Sequence, residues 1–184
     1  MSSQGPLYPA TISGSGTNNV WDNVALVGAN DGTPASVTIE LNDPDGGYSE
    51  IISCTNFGFT IPAGATINGV KAEIERWDGG VIGMQDFIVQ LIKGGTPQGA
   101  NKIGAAWPHA EGSPETYGGA ADLWTLTLSG ADINATNFGI RFQCVNGNFD
   151  SSGETAWVDY IRLTVYYTEA SSIFSQTMTL MGVG

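Results

Sequence analysis

The sequence predicts an all-β protein built as a two-sheet antiparallel sandwich with jelly-roll or Greek-key topology. Charged residues make up only 13% of the 184 residues, too few to coat the outer faces of surface helices. The 26 glycines and 8 prolines lie between short apolar runs, as turns between strands require. Several of these runs alternate apolar and polar residues, which is the pattern of a strand with one buried face.

The chain is expected to form one domain, because its length suits a single core and no break in composition divides it. The turn-rich residues 1–35 are expected to form an N-terminal arm and edge segment. The β-sandwich is expected to occupy residues 36–168, and residues 169–184 to form an apolar C-terminal tail.

The first strands are predicted from alternation. The run SVTIEL predicts a strand over residues 36–41, and the turn NDPDGG follows it. From residue 67 to 77 the alternation is regular. It places Lys71, Glu73 and Glu75 together on one face, which predicts a strand with one solvent-facing side.

The middle of the chain repeats this pattern with more interruptions. Residues 86–93 predict a strand with Phe87, Val89 and Leu91 directed inward. A short strand is expected at 123–128, and the alternating aromatic and aliphatic residues at 138–144 predict another.

The last long strand and one helical turn complete the prediction. The run WVDYIRLTVYYT, residues 157–168, is apolar on much of both faces, so we expect it to be central in its sheet. One short helical turn is expected near 129–135, because Ser129 can cap it and Asp132 lies at the third helical position, where a carboxylate is favourable.

The charge balance excludes some partners and favours others. With 18 acidic residues against 6 basic ones, the net charge is -12 and the basic residues are scattered singly, so we expect no nucleic-acid partner. No apolar run approaches the ~20 residues of a membrane-spanning helix. The N-terminal MSSQGPLYPA lacks the basic start and apolar core of a signal peptide, so we expect the product to be made in the cytoplasm.

Cys54 and Cys144 are the two cysteines, and each lies near the end of a predicted strand. They could therefore be neighbours and form a disulfide. The alternative is two small buried apolar side chains, which suits a protein made where thiols stay reduced.

Candidates for metal binding are weak. Asp43 and Asp45 in NDPDGG resemble the start of a calcium loop, but the 12-residue spacing and its terminal Glu are missing. The turn explains both residues without a metal. A structural Ca²⁺ ion using them, with Asp31 and Asp150, stays open as a hypothesis, and no other cofactor is expected.

No catalytic residues are predicted. His109 is the sole histidine, so neither a catalytic triad nor a three-histidine metal site can be built from this chain alone. Glu73 and Glu75 would lie about 6.5–7 Å apart on one strand face, a separation that suits a glycoside-hydrolysing carboxylate pair. The solvent-facing side of a strand explains them as well, and we expect a protein that is not an enzyme.

Aromatic residues are the candidates for ligand recognition. Trp107, Tyr117 and Trp124 lie in or beside one long segment with few predicted strands. Such rings can stack on sugars. The other interpretation is a plug over the open edge of the sandwich, because aromatic burial is so favourable.

The C-terminal tail has no charged side chain after Glu169. One interpretation is a disordered end, and the other is an assembly arm that pairs with a neighbouring subunit or fills its groove. The arm would use the large apolar residues Ile173, Phe174, Met178, Leu180 and Met181.

Five segments carry a resemblance to a known family. They are FGFTIPAGATINGVKAEIER, DFIVQLIKGG, WPHAEGSPETYGGAADLW, ADINATNFGIRFQ and VDYIRLTVYY. Over roughly residues 50–168 the chain resembles a jelly-roll domain that recurs in virion structural proteins of tailed bacteriophages. The resemblance implies a capsid decoration (cement) protein or a tail or fibre module, located in the virion.

Two functions are therefore expected from the sequence. The first is a decoration subunit that binds a major capsid or other virion protein and its own copies; the resemblance implies a symmetric homo-oligomer, most often a trimer. The alternative is a carbohydrate-binding or adhesion module of a tail fibre or cell-surface protein that binds a glycan through Trp107, Tyr117 and Trp124.

Overall fold

The computed structural model describes residues 1–16, 19–40, 47–80, 83–147 and 153–171. The strands in these ranges are β1 (Ser2–Leu7), β2 (Thr11–Ser15), β3 (Ala35–Ile39), β4 (Ile51–Thr55), β5 (Thr66–Asp78), β6 (Met84–Lys93), β7 (Thr96–Pro97), β8 (Glu115–Gly118), β9 (Gly139–Asn146) and β10 (Glu154–Thr168). A single turn of 3-10 helix spans Val24–Val27, and the short helix α1 spans Gly130–Asn134.

The strands form two antiparallel sheets that pack together. In the first sheet β10 is central, with β5 and then β8 on one side. Its other edge is shared by β3, opposite Glu154–Val158, and β1, opposite Leu163–Tyr167. The second sheet has the order β2–β4–β9–β6–β7. The predicted two-sheet sandwich and the central position of the last strand are confirmed.

From β3 onward the chain follows a jelly-roll path. The first sheet contains the order β3–β10–β5–β8 and the second contains β4–β9–β6–β7. The chain therefore crosses from one sheet to the other at most connections, and strands distant in sequence become neighbours. Eight strands arranged in this way form the two Greek keys of a jelly roll. Residues 1–35 add β1 to the first sheet and β2 to the second, although the sequence pattern did not predict either strand.

The inward side chains follow the predicted alternation along most strands. Val70, Ala72 and Ile74 of β5 are fully buried. Ile140 and Phe142 of β9, in the opposite sheet, belong to the same core cluster. Removing this apolar surface from water is the main favourable contribution to folding.

A bulge in β6 reverses one predicted orientation. The register with β9 shifts between Asp86 and Ile88, so an extra residue is inserted at this point. Phe87, predicted to face inward, is 42% exposed and packs against Tyr48, whereas Asp86 is buried. Val89 and Leu91 beyond the bulge are buried, as predicted.

A second bulge lies in β10, between Val158 and Tyr160. It places both Val158 and Ile161 in the core, so residues on either side of the bulge do not share the face that simple alternation predicts. Trp157, predicted on the same face as Ile161, instead stacks on Trp77, with ring centroids 6.1 Å apart.

The segment between β8 and β9 contains one error and one confirmed prediction. Residues 123–128 do not form a strand, because Trp124 and Thr125 have left-handed backbone angles, with φ of 55° and 63°. The helical turn is present as α1. Ser129 caps it and accepts a hydrogen bond from the backbone of Asp132, whose side chain completes a capping box.

No helix in the part of the chain that the structure describes is long and apolar enough to cross a membrane.

Candidate functional site

The three predicted ligand-stacking residues are core residues. Trp107, Tyr117 and Trp124 are 3%, 3% and 0% exposed. The Trp124 indole Nε1–H donates a hydrogen bond to the Val70 carbonyl at 2.8 Å, which satisfies its polar atom inside the protein. A ring that stacks on a sugar must present a face to solvent, so these residues do not form a sugar-binding platform. The glycan hypothesis therefore loses the residues on which it depended. Burying these rings in the core is more favourable than leaving them exposed to solvent.

Trp107 and Tyr117 meet at a buried ion pair that joins the two sheets. Arg76 on β5 and Asp86 on β6 pair with 2.9 Å between Nε and Oδ1, and both side chains are almost completely buried. The Trp107 indole N–H donates to Oδ1 of Asp86 at 2.9 Å, and the Tyr117 hydroxyl donates to Oδ2 at 2.8 Å. The guanidinium of Arg76 also lies over the Trp107 ring, 4.8 Å from its centroid.

This ion pair fastens the long loop between β7 and β8. The Gly104 backbone N–H donates to Asp86 at 2.7 Å, and Arg76 donates to the Ala105 carbonyl at 3.0 Å. Burial, followed by the charge of Asp86, raises the pKa of Tyr117, so the phenol keeps its proton and continues to donate. Both charges are therefore paired and hydrogen-bonded, and we interpret the cluster as a structural tie between the sheets and the loop.

Glu73 and Glu75 do not form a free carboxylate pair. Both are buried, so the predicted solvent-facing side of β5 is largely covered. Glu73 lies 3.0 Å from the Lys71 ammonium and 3.3 Å from the Arg162 guanidinium. Burial acts to raise the pKa of Glu73, but the hydrogen bonds and charges of these two cations outweigh it and lower the pKa. Glu73 therefore forms ion pairs with Lys71 and Arg162 and is not a free carboxylate.

Asp159 is fully buried at the β10 bulge. Neither carboxyl oxygen makes a hydrogen bond of normal geometry to any residue that the structure describes. Burial is the largest cause of a raised pKa for Asp159, and the charges of Asp31 and Glu111 add to it. The backbone amides of Gly32 and Thr33 act in the opposite direction without cancelling the shift.

We expect Asp159→Asn to stabilise the protein at pH 7. Because the folded-state pKa is raised above the ~3.9 of an unfolded aspartate, the folded state holds the proton more tightly. The charge therefore becomes a cost as the pH rises from the unfolded pKa through the folded one. The amide removes that cost, so the free energy of unfolding should rise by about 1–3 kcal/mol at pH 7 and change little at pH 3. Urea unfolding at both pH values measures the change, and a loss of stability at pH 7 would contradict the expectation.

His109 takes part in a single pair with a buried carboxylate. Its Nδ1 lies 2.5 Å from Oδ1 of Asp78, and the histidine side chain is 59% exposed. The other oxygen of Asp78 accepts the Met84 backbone N–H at 2.8 Å. These contacts tie the long loop to the end of β5 and the start of β6.

The metal hypothesis gains no support among the residues that can be described. Within them, no group of three or more His, Cys, Asp or Glu is placed to hold a metal ion. Asp31 accepts the Thr33 backbone N–H at 3.0 Å, which is a local turn contact. Asp43, Asp45 and Asp150 lie outside the described residues.

The disulfide hypothesis is wrong. Cys54 on β4 lies opposite Ile140 on β9, so Cys144 is four positions further along the neighbouring strand, roughly 13 Å away by strand rise. A disulfide requires Cα atoms within about 7 Å. Both thiols are free and buried; burial raises the pKa of Cys54, and it raises the pKa of Cys144 to about 12. They act as small apolar side chains.

A groove between the start of β5 and α1 is the strongest candidate for an interaction site. It has a volume of about 400 Å³. We call it the C-terminal groove because the described part of the chain ends beside it. It is lined by Ile61, Ala63, Gly64, Ala65, Ser129, Gly130, Ala131 and Asn134.

The end of β10 lies next to this groove. Thr168 pairs with Thr66 of β5, and Thr66 forms a bridge to Ser129 on its other side. A Cβ atom placed on Gly64 would lie 3.4 Å from the Ala170 side chain. The predicted assembly residues follow directly in sequence but lie outside the described residues; they are Ile173, Phe174, Met178, Leu180 and Met181.

No protein-family model, curated protein or solved structure was found that matches the chain. The chain's own geometry offers a structural ion-pair cluster in the core and an uncharged groove at the point where an apolar segment begins.

Proposed function

We propose that the chain is a non-enzymatic structural protein of a bacteriophage virion, a capsid decoration subunit that binds the capsid exterior and neighbouring copies of itself. One observation carries the proposal: an uncharged, apolar segment, residues 170–184, begins beside an uncharged groove on the same subunit. A subunit that carries both an arm and a receiving surface can assemble symmetrically without a second protein.

Two further features support this function. The net charge of -12 opposes non-specific association between assembled particles, as an outer layer requires. The resemblance over residues 50–168 to jelly-roll domains of phage virion proteins favours a virion location and a trimer.

The alternative, a carbohydrate-binding or adhesion module, would now depend on different residues. Trp77 and Trp157 are partly exposed and stack on each other with an angle of 15° between the ring planes. A tryptophan fluorescence change on adding a polysaccharide, present in the parent chain and absent in Trp77→Ala, would favour this alternative over the decoration function.

We expect the intact chain to form a discrete oligomer and a chain that ends at Thr168 to be a monomer. The truncation removes the apolar segment but leaves β10 complete, so the sandwich should stay folded. Light scattering on a sizing column measures both masses, and far-UV circular dichroism of the shortened chain controls for folding. If both chains were monomeric, self-assembly through this segment would be contradicted.

A further inference from the structure

The C-terminal groove offers a largely apolar surface, and its two polar side chains already make hydrogen bonds within the chain. The Asn134 side chain accepts the Ile61 backbone N–H at 2.7 Å and donates to the Ile61 carbonyl at 2.9 Å. Ser129 is occupied by the capping box of α1. The other lining residues are alanine, glycine and isoleucine. No charged side chain lines the groove, so a charged partner would lose water here without gaining an ion pair, and the groove suits an uncharged apolar segment.

The direction of the chain favours a neighbouring copy over the same copy. Ser129 and α1, which form one wall of the groove, lie on the side of β5 away from β10, since Thr66 separates Thr168 from Ser129. The chain's own end would have to turn across the start of β5 to enter its own groove. Residues 169–181 contain no Gly, Pro, Asn or Asp, and their serine and threonine residues favour such a turn more weakly.

The length of the segment is sufficient for a contact between copies. The 13 residues 172–184 can extend to about 40 Å, which is comparable to the size of the domain itself. Ile173 and Phe174 are the first large apolar residues in this segment.

We propose that the C-terminal groove binds residues 172–184 of a neighbouring copy, so that the copies are joined by exchanged arms. This inference rests on the proposed self-assembly and names its receiving surface. The same groove and the same segment are used in every copy, so the exchange can close into a symmetric ring.

The groove is tested by placing a charge in it. Ala131 is exposed at the second position of α1, where a carboxylate favours the helix, so Ala131→Glu should fold normally. We expect it to weaken association at least tenfold, measured by light scattering over a dilution series. Ala25→Glu, an exposed alanine on the 3-10 turn, is the matched control and should associate like the parent.

Disulfide trapping identifies the occupant. Both native cysteines are buried, so cysteines added by Phe174→Cys and Ala131→Cys would be the reactive ones. Mixing the two single variants under oxidation should give a product of two different chains. A variant that carries both added cysteines provides the opposite test. If a disulfide formed only within one chain of this double variant, the groove would bind the chain's own segment and the inference would be overturned.

The outcomes also separate this inference from the proposed function. If removing residues 169–184 reduced the mass but Ala131→Glu had no effect and no two-chain product formed, the inference would be overturned and the proposed self-assembly would stand. If the intact chain were itself monomeric, both would be overturned.

Discussion

Asp86→Asn is expected to cost about 3–5 kcal/mol of folding free energy, because it leaves the buried Arg76 charge without its partner. The guanidinium would retain its contacts with the Tyr117 hydroxyl and the Ala105 carbonyl, its position over the Trp107 ring, and a carboxylate, that of Glu115, only at 4.0 Å. The hydrogen bonds that Trp107, Tyr117 and Gly104 donate to Asp86 would weaken at the same time. Urea unfolding followed by circular dichroism measures the loss.

Two comparisons establish that the cost comes from the unpaired charge. Asp22→Asn, at an exposed aspartate, should change stability by less than about 0.5 kcal/mol. Combining Asp86→Asn with Arg76→Gln removes both charges, and the double variant should lose clearly less than the sum of the two single variants. A loss below about 1 kcal/mol for Asp86→Asn alone would contradict the interpretation of the cluster as a structural tie.

Trp124→Ala is expected to cost about 3–5 kcal/mol of folding free energy, because it opens a large cavity in the core. The indole is fully buried, and its N–H satisfies the Val70 carbonyl. Lys102 lies over the ring at 5.2 Å and is itself paired with Asp122 at 2.7 Å. Removing the indole would therefore also remove a contact that positions Lys102 for this ion pair. Thermal and urea unfolding measure the effect.

Trp77→Ala provides the control for this second result. Trp77 is only partly buried and its main aromatic contact is Trp157, so its removal should cost less than the loss of Trp124. If the two variants were equally stable, Trp124 would not be the core residue that its burial indicates.

The features that the sequence predicted correctly depend on local signals. Alternation with period 2 identified β3, β5 and β9, because the direction of a strand side chain is set by the residue's own position. The two-sided apolar pattern at residues 157–168 indicated a central strand, since both faces of a strand are more readily covered in the middle of a sheet than at its edge. The cap at Ser129 was predictable because its contacts reach only three residues along the chain.

Arg76 could have been identified by the same rule. It continues the inward series of Val70, Ala72 and Ile74 on β5, so period 2 places its charge in the core. Its partner Asp86 could not be predicted, because the β6 bulge turns this residue inward and a bulge leaves no regular signal in a single sequence.

The sequence by itself determined the all-β class, the long strands and the apolar character of the chain's end. Only the tertiary structure decided which residues meet. The strand register keeps Cys54 and Cys144 apart, and the bridge between Thr66 and Ser129 brings the two walls of the C-terminal groove together. The physical reason is that pairing between distant strands depends on register, and a shift of one residue exchanges the buried face for the exposed one.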